Sequence, residues 1–356
     1  MSKLLSVCII AKNEEESIAS ALACVSESAD EVIVGDTGST DRTAEIASDM
    51  GATVVSVPWD DNFAAARNAV KAVASGEWIL SLDADEVVPK SDLFILKKSL
   101  EGAAMKKFSA YILEKRSYVT CTDPQYQLQL CTGEYPDMER EYPAFIAEPN
   151  LLLFRNDPNI QWSGAVHESI SRSLESTTAH GLLSWLPIHN YGRERNKEQK
   201  LVYYRKLVAK RLVEDPLDPM SWFYHGLMLE SSGSADESER SYRKSLKIQK
   251  TTYCLYALAL CLMRQGKTKQ AEISMVEYLR FVPEDPNAWM TLLVCAMTRE
   301  DMDCMDYYLG TALKTNTKRK ADLVRFAQYS ANKNSYPAKA EMYEKLLKKL
   351  PSHDQP

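Results

Sequence analysis

The sequence predicts two joined domains: an α/β domain built on a parallel sheet, then an all-helical repeat domain. Three observations carry this. Apolar strand-like runs alternate with helical patterns through residue 82. Charge changes sign near residue 195: residues 1–195 hold 17 Lys+Arg against 29 Asp+Glu, a net of −12, and residues 196–356 hold 26 against 20, a net of +6. Large residues then recur every roughly 34 positions between 215 and 351. Domains spanning 1–195 and 196–356 are expected, and a length of 356 residues suits two. With 45% hydrophobic and 26% charged residues, wholesale disorder is excluded. A net charge of −6 argues against a nucleic-acid partner.

The elements follow in order. Leu4–Ala11 is a short continuous apolar run, consistent with a strand buried on both faces. Glu16–Ser26 places Ile18, Ala21, Leu22 and Val25 on one helical face. Glu31–Gly35 is a second buried strand. Thr40–Met50 is a helix capped by the Ser39-Thr40-Asp41 cluster. Ala52–Val57, Asn62–Ala74 and Trp78–Leu82 continue as strand, helix and strand. Such alternation predicts a parallel sheet with helices on both faces. Residues 118–148 are rich in Tyr, Glu and Pro and read as irregular, either a surface insertion or an acceptor loop. Leu151–Arg155 is strand-like again.

Ligands of such sheets sit at the C-terminal ends of the strands. Here those ends are Lys12-Asn13-Glu14-Glu15, Asp36-Thr37-Gly38-Ser39, Pro58-Trp59-Asp60-Asp61 and Asp83-Ala84-Asp85-Glu86. Crowded carboxylates cost energy unless a cation neutralises them, which points to a divalent metal. Alternate residues of a strand share a face, so Asp83 and Asp85 can address one hard cation. The same spacing arises often by chance.

The runs SVCIIAKNEEESI, EVIVGDTGSTDRTAEIA and DNFAAARNAVKAVASGEWILSLDADE together resemble the nucleotide-sugar half of family 2 glycosyltransferases, which have the Rossmann-like GT-A fold. The resemblance covers residues 4–88 in order. It implies that Ala11, Asn13 and Glu15 lie beside the base and ribose and that Asp36 accepts a hydrogen bond from the base, usually uracil. It implies that Arg67 contacts the diphosphate, that Asp83 and Ala84 line the nucleotide sugar, and that Asp85, with Asp83, binds Mn or Mg. Trp162-Ser163-Gly164-Ala165-Val166-His167-Glu168 resembles the family's downstream catalytic region in members with helical repeats. Inverting transfer needs a carboxylate to take the acceptor proton, and Glu168 is the candidate. His167 is a candidate for metal, acceptor or loop structure, and Trp162 for acceptor contact. His189 is expected either as a third metal ligand or as a boundary residue. Tyr191 and Arg193 are candidates for the diphosphate or the acceptor.

In the second half, Trp222, Leu255, Trp289 and Leu323 fall 33, 34 and 34 residues apart, as do Tyr242, Met275, Leu309 and Tyr343. This is the tetratricopeptide length. The consensus glycine is Gly226 in the first repeat and becomes Ala259, Leu293 and Ala327, so the repeats are degenerate. These are read as core positions between stacked helices. Residues 196–213 form a basic helix, read as a solvated face on the link between domains in preference to a membrane-surface helix.

The reading is an inverting, metal-dependent glycosyltransferase using a UDP-sugar, with N-acetylglucosamine expected by resemblance alone. The fused repeats suggest a protein acceptor docked on them, as in flagellin O-glycosyltransferases and the S-glycosyltransferases of bacteriocin peptides. Two alternatives are a lipopolysaccharide or capsule glycosyltransferase, and a repeat scaffold with an inert front domain. No apolar stretch reaches the ~20 residues of a membrane span. The apolar start meets Asn13-Glu14-Glu15-Glu16 at once, unlike a signal peptide. Eight cysteines without a CxxC pair suit a reducing, cytoplasmic setting. A repeat domain can also supply a homodimer interface.

Overall fold

The computed structural model describes residues 3–102, 104–120, 128–140, 142–174, 180–192 and 197–350. The chain forms two compact units, Met1–Leu207 and Val208–Pro356.

The first unit begins with β1 (Leu5–Ala11), α1 (Ile18–Val25), β2 (Glu31–Asp36), α2 (Thr43–Asp49), β3 (Thr53–Ser56), α3 (Phe63–Val73) and β4 (Trp78–Asp83). It continues with β5 (Glu86–Val87), α4 (Lys90–Leu100), β6 (Ala110–Val119), β7 (Leu128–Leu130), α5 (Pro136–Glu139), β8 (Ala144–Arg155), α6 (Ser171–Leu174) and β9 (Gly181–Asn190). The next helix, α7, spans Lys197–Glu214. Apolar residues on both faces of β1 and β4 bury these strands between helical layers. Two helix starts follow their sequence signals: Asn62 Oδ1 accepts from Ala65 N at 3.0 Å, and Asp41 Oδ1 accepts from Thr43 N at 3.0 Å.

The sheet runs β3-β2-β1-β4-β8-β6-β9-β5, with β7 on β8. Strands β3, β2, β1 and β4 are parallel. The wholly parallel sheet predicted above is corrected here, because β8 enters antiparallel to β4 and β6 antiparallel to β8. The segment read as irregular supplies the end of β6, β7 and the start of β8. Register sets the working edge: Ala11 lies opposite Asp36, and Ile10 opposite Asp83.

The second unit consists of four helical hairpins. They are α8 (Pro219–Ser231) with α9 (Ala235–Ile248), α10 (Thr252–Arg264) with α11 (Thr268–Leu279), α12 (Pro286–Thr298) with α13 (Met302–Ala312), and α14 (Lys320–Lys333) with α15 (Pro337–Leu347). Leu255, Trp289, Leu323, Tyr242, Met275, Leu309 and Tyr343 are buried, as core positions between stacked helices require. The first and third hairpins share a start. Asp218 and Asp285 cap prolines at the first helical turn, and Trp222 and Trp289 donate their indole N–H to Pro216 O and Pro283 O, each at 2.8 Å.

Candidate active site

Two loops at the C-terminal edge of the parallel strands are knitted together. Asn13 takes a left-handed backbone (φ 55°), which asparagine tolerates. Its Oδ1 accepts from Thr40 N at 2.8 Å, and its own N–H donates to Ser39 Oγ at 3.0 Å. Glu15 Oε2 accepts from Arg42 N at 3.1 Å. Ala11 O accepts from Thr37 N at 2.9 Å, and Asp36 accepts from Ser39 N at 3.1 Å. The four residues expected around a base and ribose therefore share one ledge.

The next layer is organised by Arg67, which α3 carries into the interior. Its Nε donates to Glu168 Oε1 at 2.6 Å, Nη1 to Ser81 Oγ at 2.9 Å and Nη2 to Asp83 Oδ1 at 2.5 Å. The guanidinium lies 5.0 Å from the centre of the Trp162 ring. Asp83 also meets Lys115 Nζ at 3.3 Å, and Lys115 forms a second ion pair with buried Glu86. Glu86 Oε2 accepts from Asp83 N at 2.8 Å. Burial alone would raise Asp83, but Arg67 and Lys115 outweigh it and hold this carboxyl well below the usual range. For Glu86 the balance reverses: burial and the Asp83 charge push it up to about 7 against the pull of Lys115.

All three guanidinium nitrogens of Arg67 are engaged within the protein, so its place is to join Asp83 to Glu168. Asn68, beside it on α3, fixes the same loop: its side-chain amide donates to Trp162 O and accepts from Trp162 N, each at 2.9 Å. Phe63 N adds a bond to Ala165 O at 2.9 Å.

Asp85 sits apart from this cluster. Its Oδ1 accepts from Asn190 Nδ2 at 3.3 Å, and its Oδ2 lies 3.9 Å from Lys200 Nζ. Gly192 makes room for it, since a Cβ there would lie 1.5 Å from Asp85 Oδ2. Burial and the nearby Asp83 charge push the Asp85 carboxyl up. Such a hard, under-compensated oxygen donor fits a Mg or Mn ion. Asp83, the other candidate ligand, already meets Arg67 with one oxygen and Lys115 with the other. Ala84, between them, is buried.

His189, a candidate third metal ligand or boundary residue, lies on the other face of its strand from Asn190. Successive side chains of a strand point to opposite faces. Asn190 takes the Asp85 side, and His189 turns into an aromatic box. There Nδ1 shares a proton with Tyr118 Oη at 2.7 Å, and the ring stacks on Tyr118 and meets the Tyr135 edge. Burial and Arg116 drop the imidazole to about 3, so it is neutral. Tyr191 stacks on Tyr118 at 5.2 Å and donates its hydroxyl to Met138 O, while its N–H donates to Asp85 O at 3.3 Å. His167 (φ 55°) stacks its ring on Tyr204. Arg193 lies outside the described residues. Among the described residues, no group of three or more His, Cys, Asp or Glu side chains forms a metal cage.

Sequence reasoning missed Lys115, Asn68, Asn190, Lys200 and Tyr204. Lys115 had a faint signal, a cation inside the β-like run AYILEKRSYV. Asn68 stood in the ARN triplet. Lys200 and Tyr204 were absorbed into a helix read as a link.

Residues 6–123 match the model of Glycosyl transferase family 2. A TPR repeat-containing protein of Synechococcus elongatus is 29% identical over 276 residues, covering 74% of this chain and 62% of the relative. An uncharacterized glycosyltransferase of Rickettsia bellii is 41% identical over 90 residues, 25% of this chain and 30% of its own. The SPbeta prophage-derived glycosyltransferase SunS of Bacillus subtilis is 26% identical over 242 residues, 67% of this chain and 52% of its own. The chain spans less than two thirds of each of these relatives. Residues 6–123 are thus similar to family 2 glycosyltransferases, and the helical hairpins that follow repeat at the tetratricopeptide length. Among the described residues, no helix is long and apolar enough to cross a membrane.

Proposed function

We propose that the chain is an inverting glycosyltransferase that moves a sugar from a uridine diphosphate sugar to a protein acceptor held by the repeats. The observation that carries this reading is the Arg67 bridge. One buried guanidinium ties Asp83, from the nucleotide-side motif, to Glu168, from the downstream motif, so the two form one centre. Base and ribose lie along Ala11, Asn13, Glu15 and Asp36. Glu168 takes the acceptor proton through the carboxylate oxygen not engaged by Arg67. The acceptor oxygen bonds to the anomeric carbon as the bond to the diphosphate breaks, and the electron pair leaves with the diphosphate. Arg67 and Lys115 keep Asp83 ionised and fixed for the ribose. A divalent cation held at Asp85 would stabilise charge on the leaving diphosphate. N-acetylglucosamine as the sugar, flagellin as the acceptor and a cytoplasmic setting belong to the same proposal.

The test is calorimetric titration with UDP, with and without Mn, on wild type and Asp85→Ala. Metal-dependent binding lost in the variant is the expected result. Absence of binding in wild type overturns the proposal and favours a scaffold. Mass spectrometry of acceptors then decides between protein and glycolipid.

A further inference from the structure

The diphosphate of a donor must approach Asp83, Asp85 and Glu86, three carboxylates at one edge. At such distances like charges repel strongly, so the diphosphate calls for a protein cation in reach as well as the divalent ion proposed at Asp85. Arg67 is buried, and its nitrogens already hold Glu168, Ser81 and Asp83. Lys115 is engaged by Glu86 and Asp83.

Lys200 is placed differently. It stands on the first turns of α7, and its Nζ donates to Gly192 O at 3.1 Å. Its distance to Asp85 Oδ2 is 3.9 Å, too long for a hydrogen bond. An ammonium has three donors, so capacity remains. The side chain is 40% exposed, whereas that of Asp85 is 13% exposed, so the amine lies on the open side of the carboxylate.

Its position is set from one turn further along the helix. Tyr203 Oη accepts from Trp59 Nε1 at 2.7 Å and donates to Asp61 Oδ1 at 3.2 Å. Tyr204 packs its ring against Phe63 and stacks on His167. Burial and the charges of Asp83, Glu168 and Asp85 push the Tyr204 hydroxyl up to about 12. Residues i and i+4 of a helix share a face, so Lys200 points where Tyr204 points.

We propose that Lys200 is a donor-binding residue, whose ammonium contacts the diphosphate of the nucleoside diphosphate sugar from the α7 side. The inference rests on the reading of this edge as the donor site. It turns the start of the supposed linking helix into part of the binding wall.

The experiment compares UDP with uridine by calorimetry, with and without Mn, on the full chain carrying Lys200→Ala or Lys200→Arg. A lost charge-assisted contact is expected to weaken UDP by about tenfold or more. Uridine affinity should stay unchanged, and arginine should restore most of the loss. Equal UDP affinity in wild type and Lys200→Ala overturns the assignment while leaving the donor site standing. Equal weakening of UDP and uridine also overturns it, since that marks a structural role. A wild type that binds neither overturns the donor-site reading and this inference together.

Discussion

Arg67 concentrates the electrostatics of the first unit into one side chain. Buried charges are tolerated when paired, and removal of one partner strands the others. Arg67→Met leaves Asp83 and Glu168 facing each other and should cost about 3–5 kcal/mol in urea denaturation, with transfer activity lost. Arg67→Lys should recover little of either, because one ammonium cannot address three partners in the guanidinium's directions. Asp85 gives the opposite sign. Its carboxyl is raised in the folded state, so the fold binds this proton more tightly than the unfolded chain does. The stability linked to it is present at low pH and lost as pH rises through the folded value. Asp85→Asn removes a charge that opposes the fold at neutral pH. The expected result is a melting temperature unchanged or raised, together with loss of metal-dependent UDP binding; a marked fall in melting temperature would show that Asp85 holds the loop instead.

At the level of elements, a close approach accounts for the glycine of the first repeat. Gly226 faces Tyr242, and a Cβ there would stand 2.6 Å from the ring. The later hairpins replace this pair with Ala259 and Met275, Leu293 and Leu309, and Ala327 and Tyr343, all buried. Overpacking of this kind costs about 1–3 kcal/mol, so Gly226→Ala should destabilise the helical unit by that amount in thermal unfolding. Adding Tyr242→Met reproduces the second hairpin's pair and should recover most of the loss. Recovery of nothing would show that backbone conformation, not volume, selects the glycine. These elements also show what the sequence made legible. Periods of 33 and 34 residues located the repeat cores, and apolar runs located β1, β2 and β4, because both patterns are local. Strand β6 escaped because Glu114, Lys115 and Arg116 interrupt its apolar pattern, and β9 because Pro187 interrupts its run. The site divided in the same way. Asp83, Asp85 and Arg67 stood out by motif, but only tertiary pairing showed that Arg67 is engaged internally and that β9 turns Asn190, rather than His189, toward Asp85.

At the level of the whole molecule, each unit has its own buried core, so calorimetry should resolve two transitions. Glu31 provides a way to assign them. It accepts from Lys3, Ser6, Ser75 and Gly76, which ties β1, β2 and the turn before β4 at the end opposite the site. Burial alone would raise its carboxyl, but these hydrogen bonds outweigh burial and hold it at about 2, against an ordinary 4.5. A lowered folded value means that its stabilisation is full above about 4.5 and is lost as pH falls toward 2. The difference corresponds to about 3 kcal/mol at neutral pH. Glu31→Gln should therefore lower one transition at pH 7 and leave the other in place, because every partner of Glu31 lies in Met1–Leu207. At pH 3 the gap between variant and wild type should shrink, since Glu31 is then protonated in the unfolded chain and folding must release that proton. A gap that persists undiminished at pH 3 would show that hydrogen-bond geometry, not charge, makes Glu31 the tie. A shift of both transitions would show that the two units do not unfold independently.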